Sequence, residues 1–122
     1  MRRRAPARAD EDAAYAELRH ELLPGRCDVC APLAAAAAEM DAEEGTTTTL
    51  PRCTGTATEL HHLRKRSSSG ALAERDNVRR SCHDGNQAVE RHPRQAERAG
   101  LVIREGHPDW DRFSSRTWRK NR

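Results

Sequence analysis

Two adjacent histidines, His61 and His62, close a strand-like run, Ala57-Thr58-Glu59-Leu60, and the basic residues Arg64, Lys65 and Arg66 follow almost at once. Neighbouring side chains on a strand point to opposite faces. One imidazole can therefore hold a metal while the other takes a proton from water. Basic side chains a few residues away suit a phosphate group. Asn77 and Asn86 lie downstream. Together these residue types suit metal-assisted hydrolysis of a phosphate ester.

A second group of residues with chemical potential is Cys27, Cys30, Cys53 and Cys82. Cys27-Asp28-Val29-Cys30 has knuckle spacing, in which a tight turn presents both sulfurs to one tetrahedral ion. Disulfides are the alternative. No secretory apolar region follows the start, which points to a reducing cytoplasm and favours zinc. No run approaches the length of a membrane span.

These groups need a scaffold, and the composition supplies little for one. The chain has 122 residues, enough for one domain, with 35% hydrophobic, 3% aromatic and 34% charged residues. So small an apolar supply calls for a staple, which the cysteines can provide. Net charge is only +3, but it is unevenly spread. Residues 61–80 hold six Arg or Lys against two acids, residues 112–122 hold five and no acid, and residues 39–44 hold four acids and no base. The basic blocks suit a polyanion. Arg outnumbers Lys twenty to two, so coding bias alone would also enrich it.

The elements follow from periodicity. Residues 1–9, with Arg2, Arg3, Arg4 and Arg8, read as a flexible basic arm. Tyr15, Leu18 and Leu22 repeat at helical spacing and predict a helix over 10–22, stopped by Pro24-Gly25. A second, alanine-rich helix runs over 32–45, with Pro32 in its first turn and Gly45 at its end. It is expected to be a spacer more than an interaction surface. Residues 46–51 make an extended linker, and Cys53-Thr54-Gly55 a tight turn. A strand over 57–63, a loop at 67–70 and an antiparallel strand over 77–81 come next. Short helices follow over 86–91 and 93–99, then a short strand at 101–103. From about Glu105 the pattern dissolves into a mobile basic tail, 105–122.

Strand, loop, strand and helix, with His-His on the first strand and Asn on the helix, resembles the HNH endonucleases of phage and actinobacterial type. The resemblance covers residues 27–100. It rests on Cys53-Thr54-Gly55-Thr56-Ala57-Thr58-Glu59-Leu60-His61-His62, Arg66-Ser67, Asn77, Cys82-His83-Asp84 and His92-Pro93. It implies an α+β fold: a small ββα-metal core with flanking helices and a structural zinc site. The nuclease domain would span 10–104, with the helical insertion at 32–45.

By that resemblance His62 is the general base and Asn77 the residue that pins the loop and keeps the imidazole oriented. His61 and Asn86 would hold a catalytic divalent ion, which stabilises charge developing on the scissile phosphate. Arg64, Lys65, Arg66, Arg79 and Arg80 would grip DNA, in double-stranded form, and the products would be a 5′-phosphate and a 3′-hydroxyl. Phage packaging or mobile-element proteins would be the partners, in the cytoplasm of a bacterial or phage-infected cell.

The chain also departs from the family pattern. Gly85 stands where a second knuckle cysteine is common, Asn86 where His is common, and Glu90 where a further His is common. The second knuckle is thus broken, leaving Cys27, Cys30, Cys53 and Cys82 for zinc with His83 as reserve ligand. His61 and Asn86 are both neutral, so metal binding should be weak without DNA and Mn²⁺ or Ni²⁺ should serve better than Mg²⁺. Two other functions fit the residues: a zinc-stapled DNA-binding module without turnover, and an interaction domain built on the alanine-rich helix. No recognition helix is evident, so little sequence specificity is expected.

Overall fold

The computed structural model describes residues 6–122, with side chains from residue 8 onward. The fold is α+β. Its order is α1 (Pro6–Leu22), β1 (Gly25–Arg26), α2 (Cys30–Glu44), β2 (Thr56–Ala57), β3 (Glu59–His62), β4 (Val78–Ser81), α3 (His83–Arg91), α4 (Pro93–Arg98) and α5 (Ser115–Lys120). Two antiparallel pairs form the sheet structure. In one, Gly25 faces Ala57 and Arg26 faces Thr56. In the other, Glu59, Leu60, His61 and His62 face Ser81, Arg80, Arg79 and Val78 in turn.

Pairs this short do not stand alone: β1 and β2 lie against β4, and the β3–β4 pair leans on α1. Leu60 of β3 and Val78 of β4 are buried against Leu18 of α1, with Tyr15 and Leu22 at the margin. These are the residues whose helical spacing marks α1 in the sequence. Helix α2 buries Leu33, Ala36, Ala37 and Met40, an i, i+3, i+4, i+7 stripe. Leu33 joins Val29, Ala88, Val89, Ala96 and Leu101 in one core cluster. The alanine-rich helix is therefore a packing element and not a spacer, because its methyl groups let α4 approach closely. Glu43 holds Arg98 at 2.7 Å and Glu44 pairs with Arg94 across the same contact. Gly45, at φ +68°, ends α2 in the left-handed conformation.

Several boundaries differ from expectation. Residues 1–5 of the expected basic arm lie outside the described residues, while 6–9 already belong to α1. Asn77 sits in a 3₁₀ turn, Arg75–Asn77, just before β4. Helix α3 begins at His83, three residues earlier than expected, because the Cys82 sulfur accepts the Gly85 N–H as an N-cap. Residues 101–103 form no strand. The Leu101 carbonyl faces His61 Nε2 and the Ile103 N–H donates to the Leu63 carbonyl, so no ladder can run along them.

The expected mobile tail is the largest departure. Phe113 and Trp118 are 3% and 4% exposed, and Phe113 packs with Leu63, Ile103 and Trp110. The Ala71 N–H donates to the Phe113 carbonyl at 2.7 Å, and the Ser115 N–H to the Ser69 carbonyl at 2.9 Å. Gly70 lets the loop after β3 fold back on itself, since a Cβ there would lie 1.8 Å from the Arg64 carbonyl oxygen. Aromatic residues spaced among arginines carried no periodic signal, yet each finds an apolar seat. Phe113→Ala should lower unfolding free energy by roughly 3–5 kcal/mol, as for other buried aromatics. Chemical denaturation measures this, and a loss under 1 kcal/mol would show that the segment is not part of the core.

Candidate functional site

Four sulfurs from three parts of the chain meet at one point. The Sγ atoms of Cys27, Cys30, Cys53 and Cys82 all lie within 4.8 Å of one another, and none is disulfide-bonded. Cys30 and Cys82 are 3.6 Å apart. Thiolates ~2.3 Å from a tetrahedral ion lie about 3.8 Å from each other, so the cluster has the size and chemistry for zinc. Backbone amides prepare the sulfurs. Cys82 N–H points to Cys27 Sγ at 3.3 Å, Gly55 N–H to Cys53 Sγ at 3.3 Å, and Gly85 N–H to Cys82 Sγ at 3.2 Å. Burial would push the Cys27 thiol up, but the amides of Cys82, Cys30 and Val29 outweigh it and hold the thiol at about 7. Burial and the neighbouring thiols push Cys30 up.

The second knuckle has no cysteine at position 85, and glycine suits the sulfurs there. A Cβ there would sit 2.7 Å from Cys30 Sγ and 3.2 Å from Cys82 Sγ, so the four-sulfur arrangement itself requires glycine. Nor is a reserve ligand needed. The His83 ring turns away to Glu59, with Nδ1 2.5 Å from Oε1, and it takes no place among the sulfurs. Glu59 raises the pKa of His83, while His83 first and then Asn86 lower that of Glu59.

His61, His62 and Asn86 line one cleft at the end of β3, together with Lys65, Arg66 and Glu90. The histidines keep the opposite directions of strand neighbours, and the cleft wraps the strand end. His62 turns to the loop, where Nε2 lies 3.1 Å from the Leu72 carbonyl, and its ring meets Tyr15 at 5.5 Å between centroids. A carbonyl only accepts, so Nε2 carries the proton and Nδ1 keeps its lone pair. Burial depresses the His62 pKa, with the Leu72 carbonyl opposing, which favours the neutral ring.

His61 turns to α3. Its Nε2 lies 2.5 Å from the Leu101 carbonyl, so Nδ1 is the acceptor nitrogen of the neutral ring. That nitrogen faces Asn86 Oδ1 at 3.2 Å. The Asn86 amide cannot simply be flipped, because its Nδ2 donates to Glu59 Oε2 at 2.7 Å. Two acceptor atoms thus confront each other with no proton between them, while burial keeps the His61 pKa low. Two donors each ~2.1 Å from a common cation lie about 3 Å apart, so the pair fits a metal ion.

Asn77 is fully buried and all its amide atoms are used. Oδ1 accepts the Arg64 N–H at 2.8 Å, and Nδ2 donates to the carbonyls of Ala71 at 2.9 Å and Arg64 at 3.2 Å. It closes the loop between β3 and β4, the loop that brings Leu72 back to His62.

The basic residues divide. Arg64 is only 9% exposed and turns inward, with Nε donating to the Ser68 carbonyl and the guanidinium 3.9 Å from the Trp110 ring centre. It is structural in place of the expected phosphate grip. Arg79 donates to the carbonyls of Asp76 and Val78, and Arg80 pairs with Asp28 at 2.9 Å. Lys65 and Arg66 remain at the cleft, Lys65 3.3 Å from Glu90. The sequence reading left Glu90 and Glu59 without roles. Glu90 stands four residues after Asn86 on α3, and that spacing, which puts both on one helix face, was the available signal.

No protein-family model, no characterised protein and no solved structure matched this chain. No helix among the described residues is long and apolar enough to cross a membrane.

Protein purified without chelator should carry one zinc per chain by mass spectrometry, and Cys30→Ser should lose it together with thermal stability. Metal-free protein with unchanged melting would rule out the staple. Asn77→Ala strands three buried backbone groups and should cost about 2–4 kcal/mol in denaturant unfolding.

Proposed function

We propose that the chain is a metal-dependent endonuclease of the HNH type, with β3, β4 and α3 as its ββα-metal core. The observation that carries the reading is the shared cleft. It joins one imidazole with a tautomer set by a backbone carbonyl to a second imidazole whose acceptor nitrogen confronts an amide oxygen. His61 and Asn86 would hold the divalent ion, and Glu90, lining the same cleft, adds a carboxylate. With that charge the site is no longer neutral, and the expected disadvantage of Mg²⁺ shrinks. When bound, the metal would supply positive charge to the scissile phosphate and the departing 3′ oxygen.

His62 Nδ1 accepts a proton from the attacking water as the water oxygen bonds to phosphorus. The bond from phosphorus to the 3′ oxygen breaks, and that oxygen takes a proton from solvent. The products carry a 5′-phosphate and a 3′-hydroxyl. The Leu72 carbonyl stabilises the imidazolium that forms, through the Nε2 proton. Asn77 acts through the loop and is a positioning residue. Lys65 and Arg66 face the phosphate from the cleft rim. The expected substrate is double-stranded DNA.

Plasmid nicking tests the reading. Cutting should require a divalent metal and fall at least about 100-fold in His62→Ala. Salt-dependent binding with no cutting in any divalent metal would overturn the enzyme and leave a zinc-stapled DNA-binding module. The Lys65–Glu90 pair speaks for that module, since it already occupies the carboxylate. Glu90→Gln should weaken Mn²⁺ binding about tenfold or more by calorimetry. Unchanged affinity would remove Glu90 from the metal site.

A further inference from the structure

The cleft beside His62 continues past the strand end. Arg66 lines it and also lines a second concavity of about 510 Å³, walled by α1, the loop after β3, and α5. Helices α1 and α5 lie outside the strand–strand–helix unit that carries the proposed chemistry. Arg8 of α1 and Arg116 and Arg119 of α5 converge there with Arg66. Arg8, Arg66 and Arg116 are exposed, and their side chains make no hydrogen bond or ion pair with a described residue.

Three carboxylates line the same basin, and the one in its floor is already committed. Glu11 is 3% exposed; Oε1 accepts from the Leu72 N–H at 3.0 Å and Ser115 Oγ at 2.8 Å, and Oε2 lies 3.8 Å from Arg119. Asp12 and Asp111 complete the acidic set. With Arg64 included, five guanidinium groups face three carboxylates. The basin floor also touches the cleft chemistry: the Leu72 peptide takes Glu11 on its N–H and His62 on its carbonyl.

We propose that this basin is a second anion site, which seats the DNA backbone beyond the phosphate placed at His62. The proposal rests on the nuclease reading for the strand's entry point and extends its footprint to the terminal helices. Guanidinium forks gathered in a concavity repel one another until an anion joins them, and their planar geometry matches phosphate oxygens. Arg66, common to both concavities, makes the path continuous. The ordered C-terminal helix thereby gains a reason for Arg116 and Arg119, two of its three basic residues.

Fluorescence anisotropy on a labelled DNA duplex tests this, in a His62→Ala background so that binding is read without cutting. Arg8→Gln/Arg116→Gln should weaken binding about tenfold near 0.1 M salt and reduce the slope of log Kd against log salt by about 2. Arg94→Gln/Arg98→Gln removes the same charge from α4, where both arginines already hold acids, and should leave the slope unchanged. Parental affinity and slope in the first variant would overturn the basin, as would an equal loss in the second. Thermal melting confirms that both variants are folded. The two readings fail separately. A protein that cuts DNA with an unaltered slope loses only the basin, and one that never cuts but shows the slope change loses only the nuclease.

Discussion

Four sulfur atoms from three parts of the chain lie within 4.8 Å of each other. The core is divided into three small clusters, the largest of six buried residues and the others of three. The sulfur cluster ties together the knuckle before α2, the turn at Cys53, and the junction of β4 with α3, beside the apolar cluster that joins Val29 to Ala88 and Val89. Cys82 has two tasks, as ligand and as N-cap of the helix that carries Asn86 and Glu90. The direction of α3 relative to β3, and so the width of the cleft, follows from that junction. Gly85 belongs to the same constraint, because any side chain there would displace a sulfur.

The cleft obtains its order from backbone carbonyls. Leu72 and Leu101 each meet one imidazole Nε2 and leave its Nδ1 as acceptor. Both carbonyls belong to irregular segments, one held by side chains and the other by backbone bonds from Leu101 to Ala96 and from Ile103 to Leu63. Asn77 closes the loop on one side, and Glu11, from the first helix, holds Leu72 from beneath. Glu59 then fixes the Asn86 amide. Each polar group has one satisfying orientation, so the acceptor pair at His61 and Asn86 is imposed by its surroundings.

Charge is sorted by what surrounds it. Of the five arginines and lysines that flank the chemistry in the chain, Arg64, Arg79 and Arg80 turn to carbonyls and Asp28, and Lys65 and Arg66 stay at the cleft. Residues remote in sequence, from α1 and α5, line the open concavity beside the cleft. Proximity along the chain is thus a poor guide to which guanidinium group faces a ligand, because a long side chain turns toward whichever acceptor the fold supplies.

Local chemistry determined much on its own. The spacing of Tyr15, Leu18 and Leu22 marked α1, the His-His pair ended a strand, and four cysteines suited one ion. Each depends on periodicity or on residue type, both of which act over a few neighbours. Tertiary structure alone decided the rest. It buried Phe113 and Trp118, turned Arg64 inward, excluded His83 from the sulfurs and left room only for glycine at position 85. It also brought Glu90 to the cleft and Leu72 to His62. Those outcomes depend on contacts between segments tens of residues apart, and no short window of sequence contains both partners.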